Sequence, residues 1–364
     1  MKANSVKQIL TVSLLAGGLF SASVRADVEV LFAGGNASQT VLYAAVSNIL
    51  TGVTAPVISP TNSTVRTYKG TIASQPGLGN VTIDFALLGA VGGLQDLAAQ
   101  NNEFTATSNS LPPTVAVSST SPEAVALNPS PFVQNRTLVV PFVFAKNANI
   151  SPALAGVTNL TQRQAAYLEG AAGYLPASFF GGTGTNPVYL VARNTAAAVR
   201  TEIDLNIYFS DTISSWVTNT TALKALGGLY AATAIGQPVP DPNGGLSSGS
   251  LVRANVNAIS NSIGTVAVQD LGSLTPLAYE GVPFSVANVQ NGSYPLWGYE
   301  RWAYPKAGQP GAPSQNQLTV INTLLAAVTN ANFQATSPVF VGNFVPLSGL
   351  QVDRSSDGGP IYLP

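Results

Sequence analysis

Hydrophobic and polar positions along the chain follow two periods, one typical of strands and one typical of helices. The segment "DVEVLFAGG" (27–35) alternates and ends in paired glycines, as a strand followed by a tight turn does. The apolar residues after it recur at helical spacing from a possible cap at Ser38, which predicts a helix. That helix would carry Val41, Leu42, Ala45, Val46, Ile49 and Leu50.

The same succession of strand and helix patterns repeats downstream. Strands are predicted at "TVRTYKG" (64–70), "VTIDFALLGA" (81–90), "TLVVPFVFA" (137–145), "PVYLVAR" (187–193) and "SIGTVAVQ" (262–269). Helices are predicted at "GLQDLAAQ" (93–100), "NLTQRQAAYLEG" (159–170), "TAAAVRTEIDLNIYF" (195–209), after Ser248 and after Ser314. Alternating strands and helices predict an α/β protein with mainly parallel sheets.

One stretch breaks this alternation. Residues 101–136 are rich in Ser, Thr, Pro and Asn, and within them only "TVAVS" (114–118) and "EAVAL" (123–127) resemble strands. We therefore expect a surface excursion here. Pro141 interrupts the apolar strand that follows, as in an element that leaves one sheet.

The first 26 residues have the pattern of a secretory signal peptide. Lys2 and Lys7 precede the apolar run "ILTVSLLAGGLF", and "VRA" is a small-residue cleavage site that ends at Ala26. No later run of about 18 apolar residues follows. We expect an exported, soluble protein, periplasmic or secreted, that starts at Asp27; a retained N-terminal anchor is the alternative.

Composition excludes several chemistries. The chain of 364 residues contains no Cys and no His, so disulfides, thiol catalysis, Ser-His-Asp triads and His-ligated metals are all excluded. Without Lys2, Lys7 and Arg25, the 15 basic residues become 12 against 16 acidic ones, a net charge near −4. No basic cluster is present, so nucleic acid is not expected as a partner.

Several segments, in order, resemble the phosphate-binding type of periplasmic substrate-binding proteins of ABC transporters, which have the type II fold. They are "GGNASQTVLYAAV", "YKGTIASQPG", "DFALLGA", "TLVVPFVF", "NLTQRQAAYLEG", "VYLVARNTAAAVRTEI", "SIGTVAV" and "NGSYPLWGYERWAY". The resemblance implies two α/β lobes joined by crossings near Val140 and Leu296. Lobe 1 would comprise residues 27–141 and 295–364, and lobe 2 residues 142–294.

The resemblance also implies where a ligand binds. Backbone amides at helix N-termini and short hydroxyl side chains would hold a small anion between the lobes without any cofactor. The residues that this carries over are Ser38, Gln39 and Thr40 in the first loop, Ser74 in the second, and Arg193, Thr195 and Arg200 at the turn between a strand and a helix.

The chain departs from the family's sequence pattern in two places. The hydroxyl-bearing turn of the family is replaced by Ala196, Ala197 and Ala198, and no acid follows the "DF" pair of Asp84. Each candidate also has a structural reading: Ser38 as a helix cap, Arg200 as the partner of Asp204 one turn later, and Arg193 as a strand-end side chain that reaches solvent.

Three classes of function are compatible with these patterns. The first is a non-catalytic receptor that captures a small anion, phosphate first, and presents it to a membrane ABC transporter. The second is a secreted structural or adhesive protein on the same fold with binding lost or altered. The third, a hydrolase, would have to rely on carboxylates or a Ser-Lys pair, and no such constellation is apparent.

Overall fold

The computed structural model describes residues 27–52, 55–171, 175–209 and 245–364. The predicted signal peptide therefore lies outside the described residues. The strands are β1 (Val28–Gly34), β2 (Leu50–Thr51), β3 (Val57–Ile58), β4 (Val65–Ile72), β5 (Val81–Ala86), β6 (Glu103–Phe104), β7 (Ser110–Leu111), β8 (Val115–Ser118), β9 (Phe132–Lys146), β10 (Asn159–Leu160), β11 (Tyr189–Val191), β12 (Ser262–Ala267), β13 (Thr275–Pro276), β14 (Ala278–Tyr279), β15 (Trp297–Pro305), β16 (Asp353–Arg354) and β17 (Ile361–Tyr362). The helices are α1 (Gln39–Ile49), α2 (Ala90–Ala99), α3 (Gln162–Ala171), α4 (Ala198–Asn206), α5 (Gly249–Ala258), α6 (Val286–Gln290), α7 (Gln315–Val328) and α8 (Ala331–Thr336).

A single large mixed sheet runs through the protein, which confirms the α/β class. Its strand order is β11-β12-β9-β15-β8-β1-β5-β4-β2, with β13 beside β9 and β3 beside β4. Strand β1 is parallel to β5 and β8, and β11 is parallel to β12. The other pairs of this sheet, as far as the structure describes it, are antiparallel, so the expectation of mainly parallel pairing is wrong.

The helices divide between two parts of this sheet. Helices α1, α2 and α7 pack with β1 and its neighbours, and we call this part the β1 side. Helices α4 and α5 pack with β11 and β12, and we call this part the β12 side. The carboxyl ends of β1 and β5 and the loop after β11 each lead towards a helix N-terminus, so three helix starts face the region between the two sides.

Strands β9 and β15 connect the two sides. The first part of β9, Phe132–Pro141, pairs with β15, and its last part, Phe142–Lys146, pairs with β12 or β13. The change of partner falls directly after Pro141, a residue that cannot donate a ladder hydrogen bond. The proline therefore lies at the point where one continuous strand passes from the β1 side to the β12 side.

Residues 101–136 are only partly a surface excursion. The segment "TVAVS" supplies β8, whose four residues are all buried and which lies inside the sheet between β15 and β1. The segment "EAVAL" forms one turn of 3₁₀-helix, Glu123–Val125, rather than a strand. The polar residues on either side of β8 obscure a core strand in the sequence.

The helix starts predicted at Ser248 and Ser314 are confirmed, and a third helix, α3, is also capped by a side chain. Ser314 and Gln317 form a capping box at the start of α7, Thr161 and Gln164 exchange the corresponding bonds before α3, and Ser248 accepts a bond from the Leu251 N–H. None of the described helices is long and apolar enough to cross a membrane.

Three aromatic side chains of β15 belong to the core. Trp297, Tyr299 and Trp302 are buried, and the Trp302 ring meets the Phe32 ring edge-on at 5.2 Å between centroids. This contact joins the crossing strand β15 to β1 two strands away.

Replacing Trp302 by alanine should destabilise the protein by about 3–5 kcal/mol, because it removes a fully buried ring and leaves a cavity. Urea unfolding followed by far-UV circular dichroism measures this loss. The matched control is Phe104→Ala, a ring 70% exposed, which should change the free energy of unfolding by less than about 0.5 kcal/mol. Equal losses in the two variants would contradict this view of the core.

Candidate functional site

Ser38 lies at the N-terminus of α1 but does not cap it. Its side chain makes no capping bond and instead donates a short hydrogen bond to Oε1 of Glu300 on β15. Both side chains are buried. The cap interpretation of Ser38 is therefore wrong, since its hydroxyl bonds a carboxyl group on a distant strand and no backbone N–H of its own helix.

Gln39 and Thr40 occupy the first turn of α1. Gln39 is half-buried, and Thr40 is exposed and donates from Oγ1 to Oε1 of Gln269 at 3.2 Å. Gln269 lies just after β12, and its Nε2 donates to the Asn36 carbonyl at 3.0 Å. This glutamine therefore bridges from the β12 side to the loop before α1.

Arg193 follows β11 and is buried, with 3% of its surface exposed. Its Nε donates to the Leu246 carbonyl at 3.1 Å and its Nη2 to the Ser247 carbonyl at 2.9 Å. Burial lowers the pKa of Arg193 to about 10, although the negative charge of Asp270 acts to raise it. The group remains a cation at neutral pH, and its Nη1 has no protein acceptor among the described residues.

Arg200 and Thr195 lie near Arg193 but face different surroundings. Arg200 is buried in α4, with Nε 3.7 Å from Oδ2 of Asp204 four residues later, as its structural interpretation proposes. Thr195 is exposed and lines a pocket of about 340 Å³ between α2 and α4. Neither side chain lines the inner cavity described next.

Ser74 lies at the other end of the sheet. It belongs to the exposed loop between the end of β4 and the start of β5, whereas α1 and α2 begin beyond the carboxyl ends of β1 and β5. Because β4 is antiparallel to β5, its following loop returns to the amino end of β5. The structure thus separates Ser74 from the other candidates.

A small cavity lies where three helices begin. The space that the centre of a water molecule can occupy there is about 10 Å³, so the cavity has room for about one water molecule. Its lining comes from the starts of α1 and α2, the residue after β8, and the turn into α4: Gly35, Asn36, Ala37, Ala90, Ser119, Arg193, Ala197, Ala198 and Val199.

The cavity lining is rich in hydrogen-bond donors without partners. Within the described part of the chain, the backbone N–H groups of Asn36, Ala37, Ala90, Ala198 and Val199 have no protein acceptor. The first N–H groups of a helix point out of its N-terminus, where the helix dipole favours negative charge. Together with Nη1 of Arg193, these groups form a donor-rich environment suited to an anion.

A contact across the two sides separates this cavity from the 340 Å³ pocket. The Val91 N–H, in the first turn of α2, donates to the Ala196 carbonyl at 3.1 Å. Val91 and Ala196 line the outer pocket, and their neighbours Ala90 and Ala197 line the inner cavity. Gly89 lies so close that a Cβ there would be 3.0 Å from the same carbonyl. Breaking this contact would merge the two spaces.

Two buried acids have raised pKa values, and sequence reasoning missed the one that contacts Ser38 at the start of α1, Glu300. Burial raises the pKa of Glu300 to about 7, although the bond from Ser38 and the charge of Arg301 oppose the shift. Its Oε2 has no hydrogen-bond partner. Asp84, in the middle of β5, accepts a bond from Thr67 and is held at a pKa of about 6 by burial. Only the pairing of β15 with β9 and β8 places Glu300 under α1, and no local motif indicates this.

In the structure, as in the sequence, the residues directly after Asp84 and Phe85 bring no acidic side chain to the cavity. Leu88 is 45% exposed, and Ala90 contributes only backbone and a methyl group to the cavity. Among the described residues, no group of three or more acids could hold a metal ion.

Comparison with known proteins identifies the fold. No protein-family model and no curated protein matches the chain. Its structure is similar to a putative phosphate ABC transporter substrate-binding protein from Clostridium perfringens, with a TM-score of 0.54 and 13% identity over 88% of this chain and 99% of that one. It is also similar to an ABC-type phosphate transport receptor from Vibrio cholerae, with a TM-score of 0.50 and 14% identity over 87% and 99%. The chain thus has the fold of two-lobed periplasmic binding proteins.

Glu300 should make stability fall as pH rises. Its pKa is about 7 in the folded protein against an ordinary value of 4.5, so the folded state binds this proton more tightly. The stability from this group is complete below pH 4.5 and is lost as pH rises through 7. In the wild-type protein this group should lower the free energy of unfolding by about 3 kcal/mol over that range, and Glu300→Gln should not show this decline.

Urea unfolding at several pH values measures this difference. Asp84 and Glu103, also acids with raised pKa values, titrate in both proteins, so the comparison isolates Glu300. The exposed Glu123→Gln is the matched control and should keep the wild-type profile. A Glu300→Gln profile parallel to wild type would contradict the assignment.

Proposed function

We propose that this protein is an exported receptor that captures a small oxyanion between two lobes. The lobes comprise residues 27–141 with 295–364, and residues 142–294. The observation that carries the proposal is the donor-rich cavity where α1, α2 and α4 begin. Unpaired N–H groups from both sides converge on it, and a buried guanidinium joins them.

The chemistry of the lining favours an anion over other ligands. A cation would find no carboxylate in the lining, and an apolar ligand would leave the amides and Nη1 of Arg193 without acceptors. An oxyanion supplies several acceptors around one centre, and binding to Nη1 of Arg193 adds a charge-assisted bond. Phosphate is our first choice, in keeping with the described ligand class of the two similar structures.

Capture requires the lobes to move. In the closed form the inner cavity holds about one water, so an oxyanion enters when the contact between Val91 and Ala196 opens towards the outer pocket. The anion would then bind amides from both lobes and favour a closed form that accommodates it. We propose that a membrane ABC transporter recognises this loaded form, in keeping with the description of the similar Clostridium perfringens structure as an ABC transporter substrate-binding protein.

A second candidate function is a secreted scaffold in which binding is lost. The observation that favours it is that the Ala196 carbonyl occupies the start of α2, where a ligand oxygen would otherwise bind. Alanines at Ala197 and Ala198 also remove the hydroxyl donors that the resembling family has at this turn.

Calorimetric titration of the protein from Asp27 onward with phosphate, then sulfate and acetate, distinguishes these functions. The receptor predicts a dissociation constant in the micromolar range or below for an oxyanion. Arg193→Ala should weaken that binding by about 10- to 150-fold, the loss of roughly 1.5–3 kcal/mol expected for a hydrogen bond to a charged group.

The matched control is Arg253→Ala in the same lobe. Arg253 donates to the Asp270 carbonyl and does not line the cavity, so binding should persist. Absence of heat with all three anions, from a protein shown to be folded, would reject the receptor and leave the scaffold.

A further inference from the structure

The C-terminal segment, residues 353–358, joins the two sides of the protein. Arg354 is buried, and its Nη1 donates to Oδ1 of Asn206 at 3.0 Å, at the end of α4. The same guanidinium donates to the carbonyls of Trp297 at 2.9 Å and Pro295 at 2.8 Å, beside the crossing. It also lies 4.0 Å from the centre of the Trp297 ring. One side chain therefore ties α4 to β15.

Asp357 anchors the same segment on the β1 side. Its Oδ1 accepts a bond from Nη2 of Arg301 at 2.7 Å, and its Oδ2 accepts the Ser121 N–H at 2.5 Å. Next to it, Gly358 has a φ of +62° and packs against α4 so closely that a Cβ would be 2.4 Å from that of Leu205. The segment thus contacts α4 through Arg354 and Gly358 and is fixed to the β1 side by Asp357.

A buried acid, Glu202, extends this network from α4. Burial and the charge of Asp357 raise the pKa of Glu202 well above its ordinary value, and the charges of Arg301 and Arg354 oppose the shift. Glu202 lies against β15 at Gly298, where a Cβ would be 2.9 Å from its carboxyl carbon. If α4 moved away, the buried guanidinium of Arg354 would lose its acceptor on that helix, Asn206, and a buried charged donor without a partner is unfavourable. The network therefore favours one arrangement of α4 relative to β15.

Helix α4 is also the element that closes the cavity. Its first residues, Ala198 and Val199, line the cavity, and the turn before it supplies the Ala196 carbonyl that bonds Val91. Holding the far end of α4 therefore holds its N-terminus against α2. We infer that the C-terminal segment is a latch that keeps the two lobes closed in the absence of ligand, so that its release is required for the cleft to open.

Spin-label distance measurement tests the latch directly. The chain has no cysteine, so labels attach only where cysteine is introduced. Ala98→Cys on α2 and Ala254→Cys on α5 replace exposed alanines on opposite sides of the cleft. Without added anion, the otherwise wild-type protein should give one short interlabel distance. Arg354→Met should add a longer distance as a second, open population.

Arg66→Met is the matched control. Arg66 also stacks on an aromatic ring, with its guanidinium carbon 4.2 Å from the centre of the Tyr43 ring, but its partners, Tyr43 and the Ser63 carbonyl, belong to neither α4 nor the C-terminal segment. It should keep the single short distance. Asn206→Ala removes the acceptor of Arg354 on α4, together with a bond inside that helix from Nδ2 to the Glu202 carbonyl. It should behave like Arg354→Met and decides the outcome if Arg354→Met does not fold.

Two results would overturn the latch. One is a folded Arg354→Met or Asn206→Ala protein with the wild-type distance distribution. The other is a wild-type protein that is already open without ligand. Because the labels report opening itself, a protein that binds no anion can still confirm the latch, and the test stands apart from that of the proposed function.

Discussion

The antiparallel pair of β9 and β15 is the constraint on which the rest of the structure depends. Strand β9 pairs with β15 up to Pro141 and with β12 or β13 from Phe142 onward, so both sides of the sheet share one continuous backbone. Large side chains of β15 also pack into the core, where the Trp302 ring contacts the Phe32 ring of β1. Because this pair is common to both sides, the geometry of the cleft depends on how α4 and its preceding turn meet α1 and α2.

This arrangement explains how a chain with only 9% charged residues can present an anion site. Most of the donors are backbone N–H groups at helix starts, which carry partial positive charge without any cationic side chain. Arg193 provides the full charge, and two carbonyls hold it in place. Four further ionisable side chains, Glu202, Arg301, Arg354 and Asp357, lie together in a buried network that joins α4 to β15.

Local patterns in the sequence were sufficient for much of the fold. The period of apolar residues predicted the long helices, and the cap residues of α3, α5 and α7 marked their starts, because these signals act within a few residues. The site required long-range information. Ser38 meets a carboxylate 262 residues away, and β8 is a core strand whose polar flanks resemble a loop. The turn at Arg193 was found through resemblance, but its closure by the Ala196 carbonyl depends on how two helices meet.

The most direct test of the central claim is a crystal structure of the protein from Asp27 onward grown with arsenate, an oxyanion whose arsenic is located by anomalous scattering. The account predicts an arsenic peak between the N-termini of α1, α2 and α4, with an arsenate oxygen on Nη1 of Arg193 and the bond between Val91 and Ala196 broken. A cavity that still holds only a water molecule, with that bond intact and no arsenic peak between the lobes, would contradict it.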